Sequence, residues 1–68
     1  MTTVYSDFSM DYTSESEYAQ RADGQWFSRY QFRDPRYGYK WSAWRMTSFK
    51  PERARKKGDY KIRLPKAC

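Results

Sequence analysis

The residues in this chain best suited to chemistry are cations set among aromatic rings. Arg29, Arg33 and Lys40 share a stretch with Phe27, Trp44 and Met46. A second group is the run Arg53-Ala54-Arg55-Lys56-Lys57, preceded by Lys50 and followed by Lys61 and Arg63. Guanidinium and ammonium groups neutralise phosphates without reading base sequence. Aromatic faces stack on bases. Together these residues are expected to bind nucleic acid, or failing that an acidic protein surface, where the same cations would steer association. A plainer reading stands beside this one. Phe27 and Trp44 would also make a cross-strand aromatic pair in the core, and the basic run would also serve as a solvated loop.

Catalysis has little to work with. The chain holds no histidine, and its one cysteine is Cys68. Both the commonest general base and the commonest zinc ligand are therefore missing. Asp7 and Asp11 lie four apart, a spacing common by chance. No enzyme activity, no metal and no cofactor are expected, and a chain of 68 residues rarely builds the cleft that shifts a catalytic pKa.

The net charge of +6 is unevenly distributed. Residues 1–23 hold five acids and one base, whereas residues 24–68 hold thirteen bases and three acids. A basic body behind an acidic lead segment points to an anionic partner. Phe8, Met10 and Tyr12 thread that acidic segment, which suits docking on a basic groove or covering the chain's own basic face.

These side chains need a scaffold, and the apolar content for one is unusual. There is a single Val (Val4), a single Ile (Ile62) and a single Leu (Leu64), but aromatic residues make up 21% of the chain. Each ring can bury roughly 150–250 Å², so an ordered aromatic core is expected. Cores of this size are marginal, which leaves room for a homodimer or a stabilising partner. The length suits one domain over 1–68, in which residues 1–12 read either as an acidic arm or as an edge strand. No apolar run is long enough to span a bilayer, and no basic-then-apolar leader opens the chain. No membrane association is expected, and the cytoplasm is the expected location.

Local patterns supply the elements. Residues 3–10 alternate, with Val4, Ser6, Phe8 and Met10 on one side. Ser14-Glu15-Ser16-Glu17 fits a helix capping box, and Gly24 fits a stop, predicting a short helix over 14–23. Residues 25–33 and 39–49 alternate and are rich in aromatics, which predicts a hairpin over 25–49. Its turn is Asp34-Pro35-Arg36-Tyr37-Gly38. Pairing Phe32 with Tyr39 puts Trp26, Ser28, Tyr30 and Phe32 on a core face. The same register puts Phe27, Arg29, Arg33, Lys40 and Trp44 on a binding face. Residues 50–58 read as a loop or short helix, and 59–64 as a strand. Trp26, Tyr30, Trp41 and Ile62 are expected to be buried together. The fold class expected is α+β, an antiparallel sheet of three to four strands with one short helix. An all-β barrel of the SH3-like kind is the alternative.

The segment 36–41 has the glycine and aromatic content of RNA-recognition strands, but its glycine number and order differ. It supports no family assignment. The function expected is that of a small nucleic-acid-binding accessory protein. The alternative is an inhibitor or adaptor of the type found in phages and mobile elements, gripping an acidic or nucleic-acid-processing protein.

Overall fold

A computed structural model describes residues 1–8 and 15–66. They form six strands and, among the described residues, no helix: β1 (Thr2–Phe8), β2 (Glu15–Gln20), β3 (Trp26–Asp34), β4 (Gly38–Trp41), β5 (Arg45–Thr47) and β6 (Arg55–Tyr60). All pairings are antiparallel, in the order β4-β3-β2-β1-β6, with β5 also on β3. The fold is therefore all-β, and both the α+β class and the closed barrel are corrected. A barrel needs its two outermost strands to pair, and here β4 and β6 stand at opposite ends of the sheet.

The expected helix over 14–23 is instead strand β2 and a turn. Ser14, on which the capping box depended, lies outside the described residues, as do Ser9, Met10, Asp11, Tyr12 and Cys68. Glu15, Glu17 and Ala19 are buried, and the residues between them are not. In a helix Glu15 and Glu17 would point about 200° apart. In a strand they share one face, where cations meet both of them. Gly24 closes the β2–β3 turn with φ at 97°, and Arg21 N donates to the Gln25 carbonyl at 2.8 Å.

The hairpin forms where the alternation predicts it. Asp34 Oδ1 accepts from Arg36 N at 2.8 Å, and Gly38 takes φ of 83°, a conformation glycine enters without strain. The register differs from the expected one by a residue, because Phe32 pairs with Lys40 and Arg33 with Tyr39. A second shift follows. Between the pairs Gln31–Trp41 and Ser28–Arg45, β3 spends two residues and its partner three. This β-bulge separates β4 from β5. Ser42 stabilises it, donating its N–H to the Tyr30 carbonyl at 2.8 Å and accepting from Tyr30 N on its hydroxyl at 3.0 Å.

Residues 55–58, read from sequence as part of a basic connection, lie in β6, whereas 61–64 of the expected strand lie beyond it. β6 is an edge strand, and Arg55, Lys56 and Lys57 give it charges of the kind that discourage edge-to-edge pairing. β1 pairs on both sides, with β2 and β6.

The sheet thus has two faces. Val4, Ala19 and Phe27, at 2%, 0% and 1% exposure, anchor the inner one. Tyr5, Tyr18, Trp26, Tyr30 and Phe32 line the outer one, as alternation along the paired strands requires. An irregular segment lies against each face. Residues 48–54 run against the outer face near β1, where Lys50 Nζ sits 5.1 Å from the Tyr5 ring centre and Arg53 pairs with Asp7 at 2.8 Å. Residues 61–66 run against the inner face, where Arg21 donates to the Pro65 carbonyl. The four-residue core expected from sequence is not formed. Trp26 and Tyr30 are on the outer face, Trp41 is on the inner, and Ile62 is half-buried in the C-terminal segment.

Candidate functional site

The inner face holds a charged network that runs across the sheet from β6 to β4. The Glu17 carboxylate is nearly sealed from solvent. Its Oε1 accepts from Arg29 Nε at 2.7 Å and from Arg29 Nη2 at 2.6 Å, and its Oε2 accepts from Lys57 Nζ. Lys57 also reaches Glu15 Oε1 at 3.1 Å, and Ser6 donates to that same oxygen at 2.6 Å. The Arg29 guanidinium lies 4.6 Å from the Trp41 ring centre and 4.7 Å from that of Trp44. Both are cation–π distances. Desolvation works against the Lys57 ammonium, but hydrogen bonds to Glu17 and Glu15 outweigh it, so its pKa is raised. Among the described residues, no buried side-chain nitrogen or oxygen lacks a partner. The network is satisfied internally, which suits a structural role.

The outer face differs at its far end. Tyr30 and Phe32 remain 47% and 39% exposed, with ring centroids 6.0 Å apart. Lys40, opposite Phe32, and Arg45, opposite Ser28, bring exposed cations to the same face. Lys40 makes a loose 3.8 Å pair with Asp34 and lies over the Tyr37 ring. At the other end, Tyr5 and Trp26 pack at 5.7 Å under the 48–54 segment.

The residues singled out from sequence are therefore dispersed. Phe27 is in the core, and Arg29, Trp44 and Lys57 belong to the inner network. Arg33 is exposed on the opposite side of the hairpin arm from Lys40. Arg53 pairs with Asp7, and Lys56 pairs with Asp59 at 3.6 Å. Asp59 is held below the usual carboxylate range by the Thr3 hydroxyl and then by Lys56. Arg55, Lys61 and Arg63 are exposed along β6 and the segment after it. Tyr30, Phe32 and Arg45, which the expected register placed with the core, are the side chains that sequence reasoning missed. No local signal in the sequence marked them, because the buried alternation of β2 runs through Glu15 and Glu17, whose cationic partners are distant in sequence.

Among the described residues, no cluster of His, Cys, Asp and Glu is arranged to hold a metal ion, and no helix is long and apolar enough to cross a membrane. No protein-family model, no curated protein and no solved structure matches the chain.

Proposed function

We propose that this protein binds single-stranded nucleic acid on the open end of its outer face. Tyr30 and Phe32 stack on successive bases, and Lys40 and Arg45 hold the phosphates between them. The observation that carries this reading is the pair of neighbouring, half-exposed rings on a strand face with one cation on each of the two partner strands, β4 and β5. Sheet-borne aromatics flanked by cations are how many proteins hold unpaired bases. The net charge of +6 adds an attractive field at longer range.

The test is the binding of a fluorescent single-stranded oligonucleotide at graded salt. With the phosphate contacts of Lys40 and Arg45, log affinity should fall against log salt with a slope of about −1.4. Absence of binding at moderate salt would sink the proposal.

A further inference from the structure

A second opening lies on the other side of the sheet. It is a cavity of about 270 Å³ between the inner face and the C-terminal segment, lined by Val4, Glu17, Arg29, Trp41, Lys57, Tyr60, Lys61 and Ile62. We infer that this groove receives one nucleotide unit, with its ring against the aromatic and aliphatic walls and its phosphate on Lys61.

The chemistry of the lining supports this. Tyr60 offers a flat surface and Val4 and Ile62 supply apolar contact, beside a Trp41 ring already held by Arg29 at 4.6 Å and approached by Lys57 at 5.3 Å. The one carboxylate in the lining does not repel an anion, because Glu17 is occupied on both oxygens by Arg29 and Lys57. Counting Glu15 against Lys57 as well leaves Lys61 as surplus positive charge, exposed and without an ion pair among the described residues. The groove therefore presents donors and rings, and its ligand must present acceptors and a ring. The volume lies just under the roughly 300–1,000 Å³ of drug-sized pockets, which suits one nucleotide better than two.

The inference stands apart from the outer-face proposal, since the two surfaces lie on opposite sides of the sheet and either can fail alone. The chain itself provides the reporters. It has one Val and one Ile, and both line the groove, so their methyl NMR signals are assigned by composition. A nucleoside 5′-monophosphate should move the Val4 and Ile62 methyls saturably, while inorganic phosphate alone and the uncharged nucleoside should not. Lys61→Ala should weaken that binding about tenfold, the loss of one charge-assisted hydrogen bond, and Lys61→Arg should retain most of it. A short oligonucleotide with a 5′-phosphate serves as a second ligand. If it alone moves these methyls, the unit recognised is a strand end; if the mononucleotide does so equally, it is the free compound. Unmoved methyls with both ligands, or equal shifts from phosphate alone, would overturn the inference. Tyr30→Ala should leave these shifts intact while weakening oligonucleotide binding on the outer face.

Discussion

Glu17 and Arg29 face each other across β2 and β3, with 2.6 Å between Oε1 and Nη2. The carboxylate is only 3% exposed, and Lys57 closes it from the other side. Removing one member of a buried ion pair leaves the others uncompensated, which costs about 3 kcal/mol. Glu17→Ala should lower the stability to urea by about that amount, a large share of what a domain this small has. A double-mutant cycle with Arg29→Met measures the coupling. A Glu17→Ala protein that unfolds at the wild-type urea concentration would show that the network contributes nothing.

The bulge at Ser42 gives a smaller and more local effect. The Ser42 hydroxyl accepts from Tyr30 N at 3.0 Å where the extra residue interrupts the ladder. Ser42→Ala removes that acceptor, and the cost should be about 1 kcal/mol. Hydrogen exchange reads it directly. The Tyr30 amide should exchange faster in the variant, while amides at the β1–β2 ladder keep their wild-type rates.

The hairpin was legible because its signals are local. Asp34, Pro35 and Gly38 define a turn, and the strands around it are rich in rings. The register was not legible. Phe32 pairs with Lys40 and not Tyr39, and a slip of one residue exchanges faces. Ser42 then adds a second slip whose cause, a side-chain hydroxyl standing in for a backbone acceptor, has no signature in a period-two pattern. Strand β2 was hidden for another reason. Its inward residues include Glu15 and Glu17, which any reading of polarity places outside. Their partner Lys57 is forty residues away in sequence, so only the fold shows why they are buried.

Acid should act on the β2–β3 turn. Arg21 binds Asp23 at 2.9 Å and 2.8 Å, and with the Gln25 amide it holds that carboxyl down from 3.8 to about 2. A carboxyl lowered on folding stabilises above its unfolded pKa, and that contribution is lost as pH falls through the folded value. Asp23 should therefore contribute fully above about pH 4 and lose its contribution on approach to pH 2. The stabilities of wild type and Asp23→Asn should differ at pH 7 and converge at pH 2. Lys57 has the opposite sign. Its raised pKa gives stability that is present below about pH 10.5 and lost as pH rises past the folded value. An unchanged gap between wild type and Asp23→Asn across the acid range would refute the assignment to that turn.

The outer-face proposal predicts a division of labour among four side chains. Tyr30 and Phe32 act by stacking, which releases no counterions. Tyr30→Ala or Phe32→Ala should each cost roughly 1–3 kcal/mol of single-strand affinity and leave the salt slope unchanged. Lys40 and Arg45 act on phosphates, and each carries about 0.7 of the slope for a single strand. Lys40→Ala and Arg45→Ala should each flatten the slope by about that amount and weaken all base sequences alike. Both rings are at least 39% exposed, so their truncation should leave the melting curve close to wild type. That melting curve is the control, since lost binding in a folded protein belongs to the face and not to the fold. Two further variants sharpen the comparison. Arg33→Ala removes an exposed cation on the opposite side of the same arm, and it should change the slope less than Lys40→Ala does. Phe27→Ala should unfold the protein, because that ring is 1% exposed in the core. If the four outer-face variants all bind like wild type while Arg33→Ala does not, the strand runs along the other side of the arm.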